Sequence, residues 1–115
     1  TQSKVLVMGI TFKENVSDIR NSKVVDIVYE LRNYGIMVDV VDPNASSDEV
    51  EKEYGFSLCR KECPPYDAVI VAVPHKEYLG FDEKSFSGIT DSGAIIADLK
   101  GVYRGKIKKL KYWSL

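Results

Sequence analysis

Two cysteines, one histidine and one tryptophan are all that 115 residues contain of these types. Cys59 and Cys63 stand at C-x3-C and His75 is the single imidazole, so the four-ligand set of a structural zinc site is lacking. The two thiols read as the reduced cysteines of a cytosolic protein, with a disulfide left open. No apolar run approaches the roughly 20 residues that cross a bilayer. Thr1-Gln2-Ser3-Lys4 leads straight into a strand, with no signal-peptide core. Charge of one sign is lacking too: 16 basic and 17 acidic residues leave a formal net charge of −1. That balance speaks against a nucleic-acid partner. The local cluster Arg104, Lys106, Lys108, Lys109 and Lys111 reads as a solvated terminal face.

The glycine fingerprint of a dinucleotide fold is also missing. The first apolar run, Val5 to Met8, is followed by Gly9-Ile10-Thr11-Phe12 rather than G-x-G-x-x-G, so backbone cannot approach a pyrophosphate there in the usual way. There is no P-loop and no G-x-S-x-G elbow. No acidic pair follows the first strand to hold magnesium.

What is present is an alternation of strand and helix. Lys4 to Gly9, Met37 to Val41, Ala68 to Val73 and Ala94 to Ala97 are strand candidates, and the continuous apolar character of the first and third suits a parallel sheet buried on both faces. Val24, Ile27, Val28 and Leu31 fall at helical spacing between Lys23 and Tyr34, with Asn21 or Ser22 as cap and Gly35 as stop. A second, charged helix starts at Ser46 or Ser47 and ends at Gly55. Phe56 to Leu58 reads as a short edge strand, and Asp82 to Phe86 as a helical turn. The tail from Val102 reads either as a helix, with Ile107, Leu110 and Trp113 on one face, or as a terminal strand. Alternation of this kind predicts a three-layer α/β/α Rossmann-like sandwich with a mainly parallel sheet of about five strands, and residues 1–115 as a single domain.

The chain is organised around Gly9 to Asn21, a long charged loop between the first strand and the first helix. A loop that only had to turn would be shorter and richer in Gly, Pro and Asn. It should share the carboxyl edge of the sheet with Pro74–Tyr78 and Asp98–Gly101, which brings Lys13, Arg20, His75 and Lys100 near the aromatic Phe12. Cations and a ring suit a nucleoside diphosphate. Asp18 and Asp98 are candidates to hold the cations or to bond ribose, and Asp42 ends the second strand where dinucleotide folds place a ribose-binding acid. Each residue also has a plainer reading. Lys13 and Arg20 can pair with Glu14 and Asp18, Phe12 can pack under its own loop, and Asp98 with Lys100 can form a turn with an exposed charge. His75 reads as a loop residue satisfied by a backbone group rather than as a base.

Gly-Ile-Thr-Phe-Lys-Glu-Asn followed by Asp-Ile-Arg-Asn-Ser resembles the start of the carboxy-terminal domain of the UDP-glucose/GDP-mannose dehydrogenase family, in the branch that oxidises UDP-N-acetyl-hexosamines for surface polysaccharides. The likeness continues through Tyr34-Gly35, Val41-Asp42-Pro43, Tyr66-Asp67-Ala68 and Val73-Pro74-His75 to Tyr112-Trp113-Ser114-Leu115. The resemblance implies Phe12 and Lys13 as substrate-binding residues and Arg20 as the residue that reaches the NAD cofactor. Lys100 stands where the family usually has an arginine that touches substrate; lysine keeps the charge and loses the planar fork. The catalytic cysteine, its helper residues and the glycine fingerprint of the family precede this domain, and neither Cys59 nor Cys63 matches the catalytic motif. The resemblance therefore implies one part of a larger cytoplasmic, NAD-dependent UDP-sugar 6-dehydrogenase, inactive alone and oligomeric when full length. Its partners would be the UDP-sugar and the amino-terminal and central domains of the same enzyme, with no metal, nucleic acid or membrane. Two other readings stay open: an α/β protein-interaction module whose charged side chains face outward, and a complete small nucleotide-binding protein. Convergence of Lys13, Arg20 and Lys100 in one concave site separates the first of these from substrate binding.

Overall fold

The computed structural model describes residues 3–13, 15–20, 22–59 and 62–114. Five strands form one sheet: β1 (Lys4–Met8), β2 (Met37–Val41), β3 (Tyr66–Val71), β4 (Thr90–Asp98) and β5 (Lys111–Ser114). Their order is β2-β1-β3-β4-β5, and every neighbouring pair is parallel. The helices among the described residues are α1 (Val24–Asn33), α2 (Ser47–Tyr54) and α3 (Glu83–Ser87), with a 3-10 turn at Lys76–Tyr78.

Strand alternation sends side chains to two separate cores. Val5, Val7, Val38 and Val40 pack with Val24, Val25 and Val28 of α1 and Val50 of α2. Leu6, Met8, Val69, Val71 and Ile96 pack on the other face with Phe86 of α3, Tyr78, Tyr103 and Ile107. This is the expected three-layer sandwich. The chain leaves β1 toward β2 and returns past it to β3, so the strand order reverses between β1 and β3. Open α/β sheets bind ligands at the carboxyl end of such a reversal.

Several local readings change. The tail is a strand: Lys111 to Ser114 pair with Ile95 to Asp98, because the sheet edge offers β4 backbone partners that a short helix would forgo. Glu83 prepares that strand by accepting the N–H groups of Lys108, Lys109 and Leu110 at 2.9, 2.5 and 2.7 Å. Phe56 to Leu58 is not a strand. Phe56 instead turns inward, against Tyr29 and Tyr54. Ser46 caps α2 through Glu49, and Gly55 ends it in the left-handed region, as expected. Ser22 does not cap α1: Lys23 holds the cap position without a side-chain bond, and the buried Ser22 hydroxyl has no partner among the described residues. Asn21 lies outside the described residues.

Candidate functional site

The site begins with how β1 ends. Gly9 has φ +96°, and a Cβ there would lie 2.6 Å from the Cβ and carbonyl oxygen of Val73. Only glycine lets the exits of β1 and β3 approach this closely. The following amides do not point into an open phosphate cradle. Asp42, just past β2, accepts Ile10 N–H at 2.6 Å and Thr11 N–H at 3.2 Å through Oδ2, and Asn44 N–H at 2.7 Å through Oδ1. The acid that sequence position likens to a ribose ligand is therefore engaged by the chain's own backbone.

His75 completes this arrangement. It is fully buried, and its Nε2 lies 2.9 Å from the same Asp42 oxygen and 3.2 Å from Thr11 Oγ1. Its Nδ1 faces Asn15 N–H at 2.9 Å and Asn44 Nδ2 at 2.8 Å. A backbone N–H only donates, so Nδ1 is an acceptor. Thr11 Oγ1 donates to the Lys13 carbonyl at 2.8 Å, so Nε2 carries the hydrogen and gives it to Asp42 and Thr11. The expected backbone partner is present, together with side-chain partners that the sequence does not reveal.

Between these anchors the loop presents Phe12, 59% exposed, and the exposed Lys13. They border a cleft of about 330 Å3 at the carboxyl edge of the sheet. Thr11 comes from the β1 loop, Lys23, Val24 and Ile27 from the amino end of α1, Ala72 and Val73 from the exit of β3, and Leu99 and Lys100 from the exit of β4. The lining holds three ammonium groups and no carboxylate among the described residues. The amino end of α1 adds its own partial positive charge. An apolar wall edged by cations suits an anion that carries a ring or sugar.

Lys13 and Lys100 thus converge with Phe12 as the sequence suggests. Lys23 joins them; in sequence it looks like an ordinary first residue of an amphipathic helix. Arg20 does not line the cleft. Its Nε and Nη2 meet the two Asp18 oxygens at 3.0 and 3.1 Å, in the pairing that spacing allows. The side-chain bond from Arg20 is the main reason the Asp18 carboxyl lies below its usual range. The other possible partner, Glu14, lies outside the described residues. The turn with an exposed charge is present, with Lys100 as that charge, but Asp98 is not exposed. It is fully buried and accepts Gly101 N–H at 3.0 Å, Tyr103 N–H at 2.7 Å and the Tyr112 hydroxyl at 2.6 Å. Two acids that close strands, Asp42 and Asp98, therefore hold the two loops that carry Lys13 and Lys100. No disulfide joins Cys59 and Cys63, and burial above all, with Asp39 second, pushes the Cys59 thiol up.

Residues 6–105 match the pattern of the UDP-glucose/GDP-mannose dehydrogenase family, UDP binding domain. Over 101 residues the chain is 40% identical to the UDP-N-acetyl-D-glucosamine 6-dehydrogenase of Salmonella typhi, a match covering 87% of this chain and 24% of that protein. Protein CapL of Staphylococcus aureus is 41% identical over 99 residues, 85% of this chain and 23% of CapL. The solved UDP-N-acetyl-mannosamine dehydrogenase Cap5O from S. aureus superposes with a TM-score of 0.75 at 26% identity, over 99% of this chain and 26% of that one. The chain spans about a quarter of the length of the relatives it matches.

Proposed function

The chain belongs to the UDP-glucose/GDP-mannose dehydrogenase family, and we propose that it is the carboxy-terminal, UDP-sugar-binding domain of an NAD-dependent nucleotide-sugar 6-dehydrogenase of surface polysaccharide synthesis. The observation that carries this reading is the meeting of Phe12, Lys13 and Lys100 on one cleft with no carboxylate in its lining among the described residues; Arg20, the third cation expected to converge there, stays outside it. The lysines take the diphosphate, and Phe12 lies against the base or sugar. The substrate class is a UDP-hexose or UDP-N-acetyl-hexosamine, and the enzyme is cytoplasmic and oligomeric.

The reaction requires a thiolate and a general base. The amino-terminal and central domains supply them, and this chain alone is inactive. Its part is to grip the remote UDP end, so that binding energy orients the sugar C6 hydroxyl at the distant nucleophile. The β1 loop does not fit a resident dinucleotide, because Ile10 and Thr11 N–H are engaged by Asp42. That supports assigning NAD, which would accept hydride from the sugar, mainly to the amino-terminal domain. Arg20, outside the cleft and braced by Asp18, is the residue assigned to reach it.

Kinetics of the full-length enzyme separate these roles. A charged hydrogen bond to phosphate contributes about 1.5–3 kcal/mol, so Lys13→Ala should raise KM for the UDP-sugar by roughly 10- to 100-fold and leave KM for NAD unchanged. Arg20→Ala should do the reverse. Unchanged KM for the UDP-sugar in both Lys13→Ala and Lys100→Ala would refute the reading and favour the interaction module.

A further inference from the structure

We propose that His75 is a positioning residue for nucleotide-sugar binding: it locks the Phe12–Lys13 crest into its binding conformation without touching the ligand. The inference rests on the reading of the cleft as a UDP-sugar site. A buried aspartate–histidine pair invites comparison with a base and its orienting acid, but no ring nitrogen here is available to substrate. Both are occupied, and the side chains of His75 and Asp42 are fully inaccessible.

The connections describe a brace instead. The loop leaves β1 at Ile10 and Thr11, whose amides are held by Asp42. It returns at Asn15, whose N–H is held by His75 Nδ1. Asn15 stands at φ +63°, a conformation that asparagine tolerates better than most residues. Its Oδ1 accepts Lys76 N–H at 2.8 Å, from the residue after His75. One imidazole therefore ties the outgoing limb, through Asp42 and Thr11, to the returning limb, through Asn15. The crest between them carries Phe12 and Lys13. Thr11 Oγ1 reaches inside the crest to the Lys13 carbonyl, so the Nε2–H contact also fixes the residue that presents an ammonium to the cleft.

An exposed crest that sampled many conformations would bind weakly, since apparent affinity falls in proportion to the competent fraction. Loss of the brace that leaves the crest competent one-tenth of the time weakens binding about tenfold. Two substitutions divide the imidazole. His75→Gln retains an N–H near the Nε2 position and loses the acceptor for Asn15. His75→Asn retains an acceptor near Nδ1 and loses the donor to Asp42.

The test combines calorimetric titration with UDP and amide hydrogen exchange of Asn15, on wild type, both variants and Lys13→Ala. His75→Gln should expose Asn15 N–H to exchange and weaken UDP binding about tenfold, while its urea midpoint stays well inside the folded range. His75→Asn should keep Asn15 protected but release Thr11 and Asp42 from the Nε2–H contact, and so it too should weaken UDP binding. Lowered stability with unchanged UDP affinity in both variants would overturn the proposal, because a merely structural histidine behaves that way. The unmodified protein supplies a check that needs no variant to fold. With a single histidine in the chain, the long-range proton–nitrogen spectrum should show the Nε2–H tautomer, and an Nδ1–H tautomer would refute the brace. If wild type fails to bind UDP and Lys13→Ala is silent in the whole enzyme, the cleft reading fails. The exchange and tautomer data would then still decide whether His75 braces the loop.

Discussion

Replacing Asp98 should loosen the β4 exit and cost a measurable share of stability. Its carboxylate accepts two backbone N–H groups and one phenol, at 3.0, 2.7 and 2.6 Å. In Asp98→Ala these donors lose their acceptor. A buried orphan donor costs about 1–3 kcal/mol. Tyr103 is fully buried and bears that cost, whereas Gly101 and Tyr112 are partly exposed and recover some of it from water. The sum is about 3 kcal/mol, set against a total of about 6–17 kcal/mol for a chain of this length, so the variant still folds. Asp98→Asn keeps the shape and one acceptor oxygen, which can serve Tyr103 N–H, and costs about 1 kcal/mol. Urea unfolding followed by circular dichroism should show Asp98→Ala with the lower midpoint and an unchanged slope. Because Lys100 lies in the same turn, both variants should also bind UDP more weakly. A loss below about 1 kcal/mol for Asp98→Ala, or an equal loss for Asp98→Asn, would refute the reasoning from hydrogen-bond accounting.

Gly9→Ala combines a strained backbone with a Cβ 2.6 Å from Val73; it should destabilise by at least about 2 kcal/mol, and a thermal midpoint within a degree or two of wild type would contradict the packing argument. Above all the Leu110 N–H, with those of Lys109 and Lys108, holds the Glu83 carboxyl below its ordinary 4.5. A carboxyl depressed in the folded state contributes stability that is full above its unfolded value and is lost as pH falls through its folded one. The midpoint gap between wild type and Glu83→Gln should therefore close on acidification below about pH 4.5, and a gap independent of pH would refute the capping role. Phe12→Ala should leave stability within about 0.5 kcal/mol of wild type, as expected of an exposed side chain, yet weaken UDP binding; a large loss of stability would mean that Phe12 packs under its loop instead.

The sheet was legible because continuous runs such as Val5 to Met8 and Val69 to Val73 have few other stable placements in a chain that alternates strand and helix. Ser46 and Gly55 bracketed α2 through local chemistry alone. Ser22 misled because a cap depends on one backbone angle before the helix, which sequence does not fix. The tail was ambiguous because Ile107, Leu110 and Trp113 satisfy helical spacing, while the pairing that decides it comes from β4, distant in sequence. Phe12, Lys13 and Lys100 could be proposed from the loop order and the family motif. Lys23 could not, because only the tertiary path of α1 turns a helix-start lysine toward the β3 and β4 exits. Asp42 and Asp98 show the limit most clearly. An acid closing a strand reads the same whether it faces a ribose or amides of its own chain, and the choice is made by loops whose paths sequence leaves open.

The most direct measurement is calorimetric titration of this chain with UDP at low salt, beside Lys13→Ala and Lys23→Ala. The account predicts binding in wild type, weakened about tenfold or more by each substitution and reduced by added salt, since the contacts are between exposed charges. Wild-type affinity in both lysine variants would contradict the claim that this cleft holds the diphosphate.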